Sequence, residues 1–288
     1  MEDWHNVTSN GQRILTGCIA LPALLIIILF LPQLNYLAFA LIVLGASIIG
    51  SHEMHNILTH DKENMKLPLP FWTGALLPVA AYIEYSLGSD SAIILYTMIV
   101  LMSLAFLIET ITGHRDNFAG TRDRASAAVI QLLYPNLFAI FFIRLCFLSD
   151  ARLWLLTFFV LVFSCDTFAY FFGRWFGKNN RGIVQVSPNK SVAGFIAGAV
   201  IPALILTLLS AFFEAYSLSW WEGLIVGFFT AVAGICGDLI ESAFKRSSAL
   251  KDSGTAVPGR GGILDSIDSL IIAAPVYIAL LHCFRVTI

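Results

Sequence analysis

SVAGFIAGAVIPALILTLLSAFF, residues 191–213, carries no charged side chain. An apolar helix of about 20 residues spans the ~30 Å hydrocarbon core of a bilayer. Comparable runs recur at 14–31, 36–54, 71–87, 91–110, 125–147, 153–173, 220–240 and 263–283. Inside a bilayer each backbone N–H and C=O must find its partner within the chain, and a helix provides that. The pattern predicts an all-α, polytopic integral membrane protein with about nine transmembrane helices. Residues 1–124 form a first group of about four spans, and 125–288 a second group of about five with polar loops.

Composition agrees. Of 288 residues, 58% are hydrophobic and 12% charged, and the mean hydropathy is +0.80. Soluble domains carry about 25% charged residues. The net charge of -2 offers no basic excess for nucleic acid, and no Lys/Arg tract suggests a peripheral membrane anchor. The first run, 14–31, lacks a small-residue cleavage site and reads as a retained helix. The five cysteines stand singly within apolar runs and read as small buried hydrophobes.

Fourteen of the 17 Lys and Arg fall on one side of this topology. They are Arg13, then Lys62 and Lys66, then Arg115, Arg122 and Arg124, then Arg174, Lys178, Arg181 and Lys190, then Lys245, Arg246, Lys251 and Arg260. The opposite side has only Arg152 and Arg285, and Arg144 lies within a span. Because cytoplasmic loops are enriched in Lys and Arg, the N-terminus is expected in the cytoplasm and the C-terminus outside.

Ionisable groups within a membrane are functional candidates by default. Glu53, Glu109, Asp166, Asp238, Glu241, Asp265 and Asp268 all sit in the cytoplasmic half of their runs, with Glu84 the exception. The expectation is a cytoplasmic cavity lined by carboxylates and ringed by Lys and Arg. Such carboxylates suit Mg2+, a hard cation usually found with substrate phosphates. Lys and Arg suit the phosphates themselves.

The densest stretch is GDLIESAFKRSSALKDSGTAVPGRGGILDSIDS, residues 237–269. Asp238, Glu241, Ser242 and Lys245 recur at i, i+3, i+4 and i+7, one face of a helix. Lys251-Asp252 follows, then Pro258-Gly259-Arg260-Gly261-Gly262 leading into the last apolar run. A glycine turn feeding a helix start presents free N–H groups that favour phosphate oxygens. Asp265 and Asp268 stand one turn apart at that helix start, where they could reach a metal beside the phosphates.

These residues resemble the signature of the phosphatidate cytidylyltransferases (CDP-diacylglycerol synthases). That family's Ser-x-x-Lys-Arg, Lys-Asp, Pro-Gly-His-Gly-Gly and Asp-Arg-x-Asp segments are matched by Ser242–Arg246, Lys251-Asp252, Pro258–Gly262 and Asp265–Asp268. Asp166–Arg174 is similar to its Asp-Thr-x-Ala-Tyr-x-x-Gly-Arg helix, and Ser187–Ser191 to its Ser-Pro-x-Lys-Thr loop. The resemblance covers roughly residues 150–288, while the first half agrees only in being multi-span. Two positions depart from the pattern. Arg260 stands in place of the histidine of the turn, and Ser266 in place of the arginine of the helix start.

The resemblance implies attack by the phosphate oxygen of phosphatidate on the α-phosphorus of CTP, with pyrophosphate leaving. It makes residues 125–288 the catalytic half. It implies Asp238 and Asp265 as leading Mg2+ ligands, with Asp268 and Asp252 supporting them. A second cation, monovalent or divalent, is left open. Lys190, Lys245, Arg246, Lys251 and Arg260 would bind phosphates, and Ser187 and Asp166 would position substrate. The partners are then CTP and phosphatidate in the bilayer, with a homodimer left open. The location is a cell membrane, multi-pass, with the active site on the cytoplasmic side.

Other signals argue less. His52-Glu53-Met54-His55 places its histidines at i, i+3, not at the i, i+4 spacing of a zinc protease, and reads as a helix end. No GxxxxGK[ST] loop is present, so a P-loop is unsupported. Three rivals remain: a CTP-dependent enzyme on another lipid, such as a polyprenol kinase, a membrane transporter, and an inactive paralogue, suggested by Arg260 and Ser266.

Overall fold

The structure, a computed structural model, describes residues 2–60, 65–88 and 91–286, except the side chains of 2–10 and 13–15. Lys62 and the Arg13 side chain of the charge count lie outside the described residues. Among the described residues regular structure is helical, apart from two isolated bridges, Arg181 to Ser191 and Val257 to Gly261. The helices are α1 (Glu2–Phe30), α2 (Gln33–Thr59), α3 (Leu76–Leu87), α4 (Ile93–Thr112), α5 (Thr121–Gln131), α6 (Phe138–Leu145), α7 (Ala151–Phe176), α8 (Val192–Phe212), α9 (Trp220–Ser247) and α10 (Leu264–Cys283).

Each of the nine apolar runs falls on helix. Seven helical stretches are long and apolar enough to cross a membrane: Gln33–Thr59, Ile93–Asp116, Thr121–Leu145, Ala151–Phe176, Val192–Phe212, Trp220–Ser247 and Leu264–Cys283. The run at 14–31 contributes the shorter apolar helix Thr16–Phe30, and α3 has only 12 residues. The chain is thus an all-helical integral membrane protein.

The chain divides into two compact units. One comprises residues 1–144 and 247–266, the other 145–246 and 267–288. In the first, the run at 125–147 is not one regular helix. A π-helical segment, Leu132–Leu137, joins α5 to α6 around Pro135. Proline has no N–H to offer the carbonyl four residues back, here that of Gln131. The Asn136 amide supplies the missing donor, at 2.8 Å from the Gln131 oxygen. Asn136 is fully buried. Ser47 and Ser51 of α2 donate to its Oδ1 at 2.5 and 3.0 Å. A Cβ on Gly74 would lie 2.1 Å from the Asn136 amide nitrogen, so glycine makes room for this network.

Glu109, an expected cavity acid, and Glu84, the exception, both have structural partners in this unit. Arg124 of α5 reaches Glu109 of α4 through Nε and Nη2 at 2.9 and 2.7 Å, and Asp116 through Nη1 at 2.6 Å. Glu84 accepts from the Ile94 N–H at 2.8 Å, capping the first turn of α4. Both carboxylates serve helix packing and capping, because an intramembrane acid is stable once its oxygens meet donors.

The second unit packs through small residues. A Cβ on Gly194 of α8 would lie 2.8 Å from the Ala169 carbonyl of α7, and one on Gly198 3.1 Å from the Ala169 Cβ. On α9, a Cβ at Gly227 would lie 2.7 Å from the Ala203 Cα of α8, and one at Gly237 2.4 Å from the Asp268 carbonyl of α10. Gly194 to Gly198 and Gly223 to Gly227 are both small-x-x-x-small pairs. Lipid tails are as apolar as leucine, so helices in a membrane associate by such close backbone approach. These contacts fix α7, α8, α9 and α10 around the site below.

Candidate active site

The C-terminal half of α7 presents Cys165, Asp166, Ala169, Tyr170, Gly173 and Arg174 on one face, at the three- and four-residue spacing of a helix. The loop after it returns through the Arg181–Ser191 bridge, and Val192 N–H donates to the Asn180 carbonyl at 3.1 Å. Ser191 then caps α8, its Oγ accepting from Gly194 N–H at 3.1 Å. A Cβ at Gly177 would lie 2.5 Å from Ser191 Oγ, so glycine there lets the loop close.

This closure builds a cavity of about 570 Å3, within the range that holds small-molecule ligands. Asp166, Tyr170, Arg174, Arg181, Asn189, Lys190, Phe195 and Asp238 are among its walls. The Lys190 ammonium pairs with Asp238 of α9 and lies 5.9 Å over the Phe195 ring. Ser242 Oγ stands 3.5 Å from Asp238 Oδ1. Arg174 Nη1 donates to the Tyr170 hydroxyl at 3.2 Å. Asp268 of α10 shares the electrostatic environment of Asp238, Asp166 and Lys245. The wall therefore carries three basic side chains beside two carboxylates, a balance suited to an anionic, phosphate-bearing ligand.

Asp166, Lys190 and Asp238, all expected from sequence, meet in this cavity. Arg174, Arg181 and Asn189 join them and were not among the expected site residues. Arg174 had a signal, since it lies two helical turns from Asp166 on the same face. Arg181 had none beyond its basic loop. Lys245, expected to bind phosphate, is buried and pairs with Glu241 at 2.5 Å. Arg246 is exposed at the end of α9. Ser187 holds the loop by backbone bonds, from its N–H to the Val184 carbonyl and from Lys190 N–H to its own carbonyl, both 3.1 Å.

Lys251, Asp252, Arg260 and Asp265 belong to the first unit. There the glycine turn closes on itself, with Val257 N–H donating to the Gly261 carbonyl at 2.8 Å. Gly259 and Gly261 have φ of 78° and 108°, a region that L side chains avoid. Asp265 Oδ2 accepts from Gly262 N–H at 2.7 Å, Ser253 N–H at 2.9 Å and Ser253 Oγ at 3.0 Å. Glu53 of α2 accepts from Ile263 N–H at 2.9 Å and Leu264 N–H at 2.8 Å. The N–H groups expected to cradle phosphate are thus already engaged by two carboxylates of the chain itself. Lys251, Asp252 and Arg260 remain exposed on the turn.

For Mg2+, the described residues contain no cluster of three His, Cys, Asp or Glu side chains that could hold an ion. Mg2+ is ordinarily bound by one or two carboxylates, with waters and substrate phosphates completing its shell. Asp166 and Asp238 in one cavity supply that number. The residues fit an ion delivered with a phosphate ligand rather than a closed protein cage.

Comparison with known proteins agrees with this chemistry. Residues 11–284 match the model described as the Cytidylyltransferase family. The chain is 31% identical to a phosphatidate cytidylyltransferase of Bacillus subtilis over 280 residues, 95% of this chain and 98% of the relative. It is 31% identical to that of Staphylococcus haemolyticus over 256 residues, covering 88% and 95% respectively. A Staphylococcus saprophyticus relative of the same name is 42% identical over 127 residues, 44% of this chain and 48% of the relative. With a match running almost from end to end, the chain belongs to the cytidylyltransferase family.

Proposed function

We propose that this enzyme transfers the cytidylyl group of CTP to phosphatidate, releasing pyrophosphate, from a site on the cytoplasmic side of a cell membrane. The observation that carries the reading is the cavity in which Asp166, Asp238, Lys190, Arg174 and Arg181 converge. Relatives named phosphatidate cytidylyltransferase along nearly the whole chain supply the substrate pair. The 14-to-2 distribution of Lys and Arg supports the sidedness.

The chemical obstacle is the meeting of two polyanions. Lys190, Arg174 and Arg181 offset that charge and orient the phosphates. A phosphatidate oxygen forms a bond to the α-phosphorus while the bond from that phosphorus to the bridging oxygen breaks. The electron pair leaves with pyrophosphate. The second pKa of a phosphate monoester is about 6, so the nucleophile is already ionised and needs no general base. Asp166 and Asp238 would hold Mg2+, which supplies positive charge for the departing pyrophosphate. Lys190 keeps Asp238 oriented until the nucleotide arrives. Asp265 shapes the turn it caps, and Lys251 and Arg260 on that turn would bind phosphate.

The test is incorporation of labelled CTP into chloroform-soluble lipid by purified protein in phosphatidate vesicles with Mg2+, with Asp238→Ala as control. CDP-diacylglycerol that is absent from the control supports the reading. No product from phosphatidate, or product only from a polyprenol, overturns it. Thiol labelling of Arg181→Cys from either side of sealed vesicles tests the sidedness.

A further inference from the structure

Glu53 is 3% exposed on α2, in the half of the chain where no signature was found. Its carboxylate is anchored to the other end of the sequence. Oε1 accepts from Ile263 N–H at 2.9 Å, and Oε2 from Leu264 N–H at 2.8 Å and Ser253 Oγ at 3.1 Å. Ser253 Oγ also stands 3.0 Å from Asp265 Oδ2. A hydroxyl has one proton, so the two carboxylates share it, and together they hold both ends of the 253–264 turn. The fit leaves no slack. A Cβ on Gly254 would lie 2.6 Å from Glu53 Oε1, and one on Gly262 2.4 Å from Oε2. α1 adds a tie, with Thr16 Oγ1 donating to the Pro258 carbonyl at 3.0 Å.

We infer that Glu53 is a positioning residue for cytidylyl transfer. It fixes the turn whose exposed Lys251 and Arg260 engage a substrate phosphate, and in that it rests on the proposed function. The phosphate belongs to CTP or to phosphatidate, and separate kinetics decide which. Capping also adds helix stability here, because a carboxylate at a helix N-terminus meets the positive end of the dipole. Positioning predicts something that capping does not. Loosening the turn weakens substrate engagement in molecules that are fully folded.

Glu53→Gln tests this directly. Both carboxylate oxygens face backbone N–H groups, and an amide presents one acceptor and one donor group. Either orientation sets N–H against N–H. Hydrogen–deuterium exchange of detergent-purified protein reads the turn, and steady-state kinetics in mixed micelles read KM for CTP and for phosphatidate separately. The expected result is lost protection at Ile263 and Leu264 with a rise of about tenfold or more in one KM, as loss of a charged hydrogen bond implies. A rise in KM for CTP assigns the turn to the nucleotide, and a rise in KM for phosphatidate assigns it to the lipid. Retained protection overturns the clamp. Lost protection with both KM values within twofold, whatever kcat does, reduces Glu53 to a structural cap and overturns the positioning role. Should Glu53→Gln fail to fold, Ser253→Ala removes the shared hydroxyl alone, and KM must still rise, by about threefold. A wild-type protein that turns over no CTP instead refutes the proposed function, while exchange at the two amides still decides whether the clamp exists.

Discussion

Gly237→Ala adds one methyl where the backbones of α9 and α10 approach closely. The new Cβ would lie 2.4 Å from the Asp268 carbonyl oxygen, 3.1 Å from its carbon and 3.2 Å from the Ile272 Cβ. Two of these are main-chain atoms that cannot rotate away. Comfortable contact begins near 3.5 Å, so the two helices must part by about 1 Å. Overpacking of this kind costs about 1–3 kcal/mol. The displacement falls on the residue before Asp238 and on Asp268 itself, and a 1 Å misplacement of a reacting group can lower turnover by about 100-fold. Thermal unfolding of the detergent-purified protein and CTP-dependent lipid synthesis are the assays. We expect a lower Tm and turnover reduced by about ten- to 100-fold. Gly45→Ala is the internal control, since nothing lies within 4 Å of a Cβ there. It should be neutral or stabilising, because alanine exceeds glycine in helix propensity by about 1 kcal/mol. If Gly237→Ala matches wild type in both Tm and turnover, the close approach is not what positions Asp238.

Lys190→Met removes the cation paired with Asp238 and should lower CTP turnover by about 100-fold with folding intact. Lys178→Met, in the same basic loop, should stay within twofold in the same assay. Arg124→Met leaves the buried Glu109 without its partner, so the Tm should fall by about 5 °C while KM for CTP in the folded fraction is unchanged. An unchanged Tm would mean that the pair adds nothing to helix packing. Asn136→Leu strips the donor from the Gln131 carbonyl and the acceptor from Ser47 and Ser51. We expect a Tm lower by about 6 °C in a thermal scan, and no shift would show that other groups satisfy that carbonyl.

Hydropathy located the helices because membrane insertion selects on composition alone. All nine apolar runs lie on helix, yet the helix ends differ. The run at 36–54 belongs to a helix, Gln33–Thr59, that continues past the apolar segment into polar residues. The π segment at Leu132–Leu137 was invisible, since an apolar run does not report hydrogen-bond register. Asp166, Lys190 and Asp238 were legible from residue type and motif, and they do share a cavity. Lys245, expected to bind phosphate, pairs with Glu241 four residues before it, an i, i+4 partner that the spacing already offered. Glu53 stood out in the sequence as an intramembrane acid, but the groups it binds did not. Its partners lie about 200 residues away, and no local spacing encodes that distance.

That separation also sets an order of assembly. Glu53 and the Ile263 amide are 210 residues apart. Ribosomes add about 5–20 residues per second, so roughly 10–40 s pass between emergence of the acid and emergence of its donors. Through that interval α2 carries a carboxylate without these donors, and an intramembrane acid without partners is unfavourable. α2 therefore waits for these bonds until α10 begins to emerge. A chain terminated before residue 263 would lack both donor amides and leave α2 with an unmet carboxylate.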